Sequence, residues 1–249
     1  MTVTQALALG ALQGVTEFLP VSSDGHLVVA QHAMGLGGSE LIFDLVVHGG
    51  TLIALLAFFN ADLFRLSRRQ LRDLAVATIV TAAIALPFKA LMERTYAYVV
   101  VAGIGFLVTG CALFSTRRAR GDRVDVGLAA AALIGAAQAL APLPGISRSG
   151  MTIAAALLLG VRRDEAARFG FLLAIPAIAG ALVLELGHPP AGGTASTGAL
   201  LAGAAVAALV GYAALRFALG VVARGGVHRF AYYLWPLGTA VILWSTFTH

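Results

Sequence analysis

Six long apolar runs dominate the sequence and restrict its fold more than any other feature. They cover residues 41–60, 71–92, 96–116, 166–187, 198–223 and 229–247. Each run is close to the ~20 residues that an α-helix needs to cross the hydrocarbon core of a bilayer. Charged residues make up only 12% of the chain, whereas a soluble domain has about 25%. The runs therefore predict an all-α integral membrane protein with six transmembrane helices.

Two further apolar regions, at about 2–36 and 127–160, are each interrupted in the middle. Polar residues, proline and glycine break the first region at 18–26 and the second at 142–150. Each half is too short to span a bilayer, and broken backbone at membrane depth is tolerated only beside protein or a water-filled cavity. We predict that both regions are re-entrant helical hairpins, named hairpin one (2–36) and hairpin two (127–160).

Three arginine clusters, near residues 65–72, 117–123 and 162–168, predict an orientation. Short cytoplasmic loops are enriched in Lys and Arg, so all three clusters are placed in the cytoplasm. Hairpin two must then enter from the cytoplasmic side, and hairpin one enters from the outside. The net charge of +5 could also suit anionic lipid or nucleic acid. Because topology accounts for these arginines, we expect no nucleic-acid partner.

An internal repeat emerges when the sequence of 249 residues is slid against itself by 125 positions. The matched pairs include Gln13 with Gln138, Ser22 with Ser147 and Gly25 with Gly150. Each half has one hairpin followed by three spans, and an odd number of spans inverts the second half relative to the first. Inverted repeats with broken helices are typical of many transporters. We predict a single membrane domain, 1–249, built from repeat one at about 1–125 and repeat two at about 126–249.

The two breaks concentrate the ionisable residues of the hairpins. Hairpin one carries Glu17, Asp24 and His26, and hairpin two carries Arg148. Such side chains are costly inside a membrane unless they are paired or hydrated, so they indicate a functional site. A simpler alternative is that Glu17 is only a structural partner of Arg148.

The residues around Arg148 form a pattern suited to binding phosphate. Arginine binds phosphate through a fixed fork of donors, and hydroxyl groups and the N–H groups at a helix start add further anion ligands. The predicted phosphate-binding residues are Ser22, Ser147, Arg148, Ser149 and Thr152.

These residue types support phosphoryl transfer. Arg148 would neutralise phosphate oxygens, and either Ser23 or an activated water would attack. His26 could move the proton, and Glu17 could hold a divalent cation or act as the base. Gln13 is four residues before Glu17, so both lie on one helix face. The sequence has no Walker A loop, which argues against a nucleotide substrate.

The two breaks also resemble the signature motifs of a known family, the bacterial undecaprenyl-diphosphatase or bacitracin-resistance family. The first motif is similar to residues 13–27, QGVTEFLPVSSDGHL, and the second to residues 143–153, LPGISRSGMTI. Segments 43–51, 169–176 and 230–233 are similar as well, so the resemblance extends over most of the chain.

The resemblance implies a phosphatase that converts undecaprenyl diphosphate to the monophosphate and recycles the lipid carrier of cell-wall synthesis. It further implies a requirement for calcium or magnesium. It also implies a homodimer in the bacterial inner membrane with an active site open to the periplasm. By resemblance, the catalytic positions are Glu17, Ser23, His26 and Arg148, and the phosphate ligands include Ser147 and Thr152.

Two positions depart from the family pattern. Gln13 stands at the first glutamate of a Glu-x-x-x-Glu motif, and an amide cannot act as a base, so Glu17 must carry that role alone. Asp24 stands where threonine is usual, and its carboxylate could either strengthen cation binding or repel the diphosphate. His48, beside Gly49, could line the cavity or make a helix–helix hydrogen bond. Gln13, Asp24 and His48 are therefore auxiliary site candidates.

A second function also fits the predicted architecture. Transporters built from inverted repeats place their substrate site near the membrane midplane, so a polyprenyl-phosphate transporter or flippase could use the same residues. A purely structural scaffold is a third alternative, but it explains none of the polar residues at the breaks.

Overall fold

The computed structural model describes residues 1–36, 40–96, 98–187 and 195–247. Throughout these ranges the regular structure is helical, and no β-strand is formed. The helices are α1 Val3–Phe18, α2 Ser23–Ala33, α3 Leu41–Phe58, α4 Asn60–Leu63, α5 Arg68–Ala85, α6 Lys89–Thr95, α7 Val99–Ser115, α8 Leu128–Gln138, α9 Arg148–Leu158, α10 Arg163–Gly187, α11 Thr197–Ala223 and α12 Ala231–Phe247. The all-α prediction is confirmed.

Five helical segments in the described part of the chain are long and apolar enough to cross a membrane. They are Leu41–Phe58, Arg68–Met92, Val99–Arg118, Arg163–Gly187 and Thr197–Ala223. The predicted sixth span, 229–247, contains α12, which has 17 residues. At 1.5 Å per residue α12 is about 26 Å long, somewhat short of the ~30 Å hydrocarbon core. The chain is thus a multi-pass membrane protein with five candidate spans, and the six-span layout stays a prediction.

Both hairpins consist of two short helices joined by non-helical backbone. In hairpin one, α1 and α2 have 16 and 11 residues, and in hairpin two, α8 and α9 have 11 each. All four helices are shorter than the ~20 residues of a full span. In each half of the chain the hairpin precedes the longer helices, first α3, α5 and α7, then α10, α11 and α12. The inverted relation between the halves stays a prediction.

Small residues allow the long helices to pack closely. Gly10 of α1 lies directly against Gly203 of α11, and Gly50 of α3 lies against Ala204 of the same helix, with no room for a Cβ atom. Helix association inside a membrane depends on such close van der Waals packing, because lipid tails are as apolar as the side chains. Helix α11 therefore holds both α1 and α3, the helices that carry Glu17 and His48.

The outer surface is apolar, as expected for helices that face lipid. Ile53, Ile79 and Leu209 lie on three different candidate spans and are 63%, 66% and 74% exposed. The core has a different character, since Phe18 and Phe171 are almost fully buried and meet edge to face at 6.1 Å.

The two hairpin breaks meet in the interior. A Cβ atom on Gly25 would lie 2.7 Å from the backbone nitrogen of Gly145, so the two backbones are in direct contact. Gly145 has a φ of +88°, a conformation that favours glycine. The Ser149 hydroxyl donates a hydrogen bond across the contact to the Leu19 carbonyl at 3.3 Å. The fold thereby joins two polar segments that are far apart in the sequence.

Candidate active site

Glu17, in the last turn of α1, is the centre of the polar cluster. Its side chain is only 1% exposed, and its Oε1 forms an ion pair with the Arg148 guanidinium of hairpin two. Its Oε2 accepts hydrogen bonds from the Ser23 hydroxyl and from the Gln13 amide, the latter at 2.9 Å. A buried carboxylate is stable only with such compensation. The structure therefore brings together three predicted catalytic residues, Glu17, Ser23 and Arg148.

Ser22 shapes the turn that presents Ser23. It has a φ of +69° and is the only non-glycine residue with positive φ in the ranges that the structure describes. Its hydroxyl caps α2 by accepting a hydrogen bond from the Gly25 N–H at 3.3 Å. A non-glycine residue in such a region costs about 1–3 kcal/mol, and functional sites are where this strain concentrates. The Ser22 hydroxyl, a predicted phosphate ligand, already serves as a cap here.

His26 is buried beside this turn, and both of its ring nitrogens already have partners. Nδ1 donates to the Ser22 carbonyl at 2.7 Å, and Nε2 lies 2.8 Å from the Tyr233 hydroxyl. The ring stacks on Tyr233 and meets Phe106 edge to face at 4.9 Å. The structure thus places His26 next to the cluster around Glu17, but its hydrogen bonds lead to other groups. A role for His26 as the proton carrier stays a prediction.

The start of α9 forms the predicted phosphate cradle. Ser147 is the N-cap, and its hydroxyl accepts a hydrogen bond from the Gly150 N–H at 3.0 Å and lies 3.3 Å from the Ser149 hydroxyl. The Thr152 hydroxyl is fully buried and donates within the helix to the carbonyls of Arg148 and Ser149. Ser147, Arg148 and Ser149 thus form one small surface, while Thr152 supports it from one turn behind.

Two residues that sequence reasoning missed hold these segments in place. The Thr109 hydroxyl of α7 donates to the Gly145 carbonyl at 2.8 Å and accepts from the Ser147 N–H at 3.0 Å. Tyr233, in α12, contacts His26 from 207 positions away in the sequence. The segment 230–233 took part in the family resemblance, but nothing in its local pattern assigned Tyr233 a partner.

All three auxiliary candidates join the cluster. Gln13 donates to Glu17 as described, and the Nε2 of His48 lies 3.3 Å from an Asp24 oxygen and 3.5 Å from Glu17 Oε2. The Nδ1 of His48 lies 2.7 Å from the Asp44 carbonyl oxygen of its own helix. His48 of α3 thus contacts side chains of α1 and α2, so it lies at the site and also makes the helix–helix contact that was its second predicted role.

The donor set suits a hard cation only in part. The Oε1 of Gln13 is buried and has no hydrogen-bond partner among the described residues, so it is an available oxygen ligand beside Glu17. However, no group of three or more His, Cys, Asp or Glu in the described ranges could hold a metal ion by itself. Magnesium is often bound by one or two carboxylates together with substrate phosphates. The residues present thus fit a cation whose ligand set is completed by the substrate.

Comparison with known proteins gives matches over nearly the whole chain. The family described as bacitracin resistance protein BacA matches residues 6–240. An undecaprenyl-diphosphatase from Carboxydothermus hydrogenoformans is 41% identical, over 98% of this chain and 97% of that protein. Undecaprenyl-diphosphatases from Syntrophotalea carbinolica and Rubrobacter xylanophilus are each 40% identical to this chain. The matches cover 96% and 97% of this chain, respectively, and 97% of each of those two proteins. The chain therefore belongs to the bacitracin resistance protein BacA family.

Proposed function

We propose that this protein is a phosphatase that hydrolyses undecaprenyl diphosphate to undecaprenyl monophosphate and inorganic phosphate. The observation that carries this proposal is the ion pair between Glu17 and Arg148, which joins the two hairpins while Ser23 is bound to the same carboxylate. Membership of the family supports it, as do relatives named for this activity that match nearly the whole chain. The transporter alternative depended on the repeat pattern and the broken hairpins, and these relatives give it no support.

Arg148 would bind the diphosphate. The Arg148 guanidinium has five N–H donors. Its Nη2 faces Glu17, and its Nη1 donates to the Ala174 carbonyl at 3.4 Å. A diphosphate at the start of α9 would draw Arg148 toward its own oxygens and would also meet the hydroxyls of Ser147 and Ser149. Substrate binding would thereby loosen the pairing between Glu17 and Arg148. Glu17 would become a stronger base at the moment when a base is needed.

Glu17 would accept the proton of the attacking group. In one route the Ser23 oxygen attacks the terminal phosphorus, the bond to the bridging oxygen breaks, and undecaprenyl monophosphate leaves. Water then hydrolyses the phosphoserine and releases inorganic phosphate. In the other route water attacks the same phosphorus directly, and Glu17 takes its proton. The hydrogen bond from Ser23 to Glu17 is compatible with both routes.

A divalent cation, calcium or magnesium, belongs to this proposal. The free Oε1 of Gln13 and Glu17 Oε1, the oxygen that does not face Ser23, are the protein oxygens that would hold it, together with phosphate oxygens. When bound, the cation would neutralise negative charge on the diphosphate.

The proposal extends to the membrane. The arginine-rich loops favour a cytoplasmic location for the helix ends that flank them. In this arrangement α12 is the sixth span, and the two hairpins enter the membrane from opposite sides. Hairpin one, with Glu17 and Ser23, would then open to the periplasmic face of the inner membrane. We also propose a homodimer, with the polyprenyl diphosphate lipid as the substrate partner.

The test is phosphate release from undecaprenyl diphosphate by the purified protein in detergent, with calcium, with magnesium, and with a chelator. We expect release that depends on either cation, and no release by the wild type under any of these conditions would overturn the function. Ser23→Ala separates the two routes, because a serine nucleophile predicts complete loss of activity. Substantial residual release would favour water.

A further inference from the structure

We infer that His48 is a positioning residue for this reaction: it holds the Asp24 and Glu17 carboxylates and keeps Asp24 from repelling the diphosphate. The inference rests on the proposed function. It also answers why this chain carries an aspartate at position 24, where the family resemblance leads one to expect threonine.

The geometry of the His48 ring supports this role. Its Nδ1 lies 2.7 Å from the Asp44 carbonyl oxygen one turn earlier in α3, and this contact fixes the ring orientation. Its Nε2 then faces hairpin one, at 3.3 Å from Asp24 and 3.5 Å from Glu17. A carbonyl and two carboxylates are acceptors only, so each of these contacts is favourable when the ring nitrogen carries the proton. The Nε2 side of the ring thus faces both carboxylates of hairpin one.

Asp24 has a second polar neighbour and a defined position. Tyr96, which precedes α7, lies beside the Asp24 side chain. Asp24 and His48 have side chains that are 26% and 20% exposed, whereas Glu17 is almost completely buried. The pair therefore lies at the more exposed edge of the cluster, the side from which a diphosphate would reach the buried Glu17.

The charge balance of the site explains why Asp24 needs this partner. Arg148 is the one arginine or lysine in residues 2–36 and 127–160, and Glu17 already occupies part of it. An aspartate without a donor would place a negative charge beside the negative diphosphate and weaken its binding. With His48 in place, the carboxylate is satisfied within the protein.

A suppression experiment tests the inference by steady-state phosphate release. We expect His48→Ala to raise KM by about tenfold, with a smaller fall in kcat, because the substrate then meets the bare Asp24 carboxylate. In the Asp24→Asn background the same substitution should change KM by less than about threefold, because the two side chains are coupled. His32→Ala is the matched control, since His32 packs against Trp244 at 5.3 Å away from the cluster, and its KM should equal that of the wild type.

The inference is wrong if Asp24→Asn fails to suppress the effect of His48→Ala while the wild type is active. A wild type without activity would instead refute the proposed function. If His48→Ala does not fold, His48→Gln and His48→Asn decide the question. Glutamine can place an N–H near the Nε2 position and should retain the KM of the wild type. Asparagine can place an N–H only near the Nδ1 position, so His48→Asn should raise KM. Equal KM values for His48→Gln and His48→Asn would overturn the inference.

Discussion

Hairpin one and hairpin two begin their second helices with the same local chemistry. The Ser22 hydroxyl accepts a hydrogen bond from the Gly25 N–H, and the Ser147 hydroxyl accepts one from the Gly150 N–H. A serine N-cap that binds the N–H three residues later is a common helix start. The two caps are separated by the 125 positions of the sequence repeat. The two hairpins thus start their second helices in the same way but carry different side chains there.

The first helical residue shows what differs. It is Ser23 in hairpin one and Arg148 in hairpin two, so equivalent positions present a hydroxyl and a cation. Glu17 has Pro142 as its counterpart in the repeat, so only hairpin one has a carboxylate there. Because the two breaks touch, the separate contributions combine into one site. Different side chains on two similar helix starts thereby give the site its complementary charges.

Removing Arg148 should have the largest effect, because it deletes the entire charge contribution of hairpin two. We expect Arg148→Ala to lower kcat/KM for phosphate release by at least about 10³-fold, the scale of an arginine that stabilises transferring phosphate. The variant should also unfold more easily, because Glu17 would be left buried without its cation, at a cost of about 3–5 kcal/mol.

Two comparisons make the Arg148 result interpretable. Arg148→Lys keeps the charge but not the planar fork, so it should be intermediate in activity and close to the wild type in stability. Arg118→Ala, at an exposed arginine, should match the wild type in both measurements. Activity of Arg148→Ala within tenfold of the wild type would show that hairpin two does not supply the essential cation.

The contact between the hairpins should be the next most sensitive feature. Gly25→Ala would push a methyl group against the Gly145 backbone and the Phe106 ring. Because backbone cannot move aside easily, we expect a loss of about 1–3 kcal/mol in the free energy of unfolding, measured by thermal denaturation in detergent. Gly180→Ala in α10 is the matched control, since no atom lies within 4 Å of its added Cβ. Equal midpoints for the two variants would mean that the breaks do not touch.

The sequence predicted which residues make up the site better than it predicted the contacts that hold them in place. Glu17 and Arg148 could be paired in advance, because ionisable residues inside apolar segments require partners. Thr109 and Tyr233 could not, because they lie on long helices and make their contacts only after tertiary packing. A threonine or tyrosine in an apolar run carries no local sign of its partner.

The span count shows a similar limit. Hydropathy predicted six crossings, whereas five segments of the described chain meet the length and composition of a span. The predicted run 229–247 begins within the 3₁₀ turn Val227–Phe230, and α12 has 17 residues in the described part of the chain. Composition does not distinguish a 3₁₀ turn from the first turn of an α-helix, so this boundary could not be predicted.

The smallest predicted effect separates the two caps. Ser22 has a φ of +69°, whereas Ser147 has an extended backbone with a φ of −81°. Glycine at an N-cap costs only a few tenths of a kcal/mol relative to serine, but at positive φ it relieves strain of about 1 kcal/mol or more. Ser22→Gly should therefore match or exceed the wild type in thermal stability, and Ser147→Gly should be slightly less stable.

In Ser22→Gly the activity should fall although the thermal stability does not, because the strained turn has a function in hairpin one. The Ser22 carbonyl contacts His26 Nδ1, and the turn sets the position of Ser23 against Glu17. A glycine that stabilises the fold would also let this turn relax, so kcat should fall while the denaturation midpoint holds or rises. The two caps would be equivalent if Ser22→Gly lowered both stability and kcat to the same extent as Ser147→Gly does. The strain at Ser22 would then have no part in the reaction.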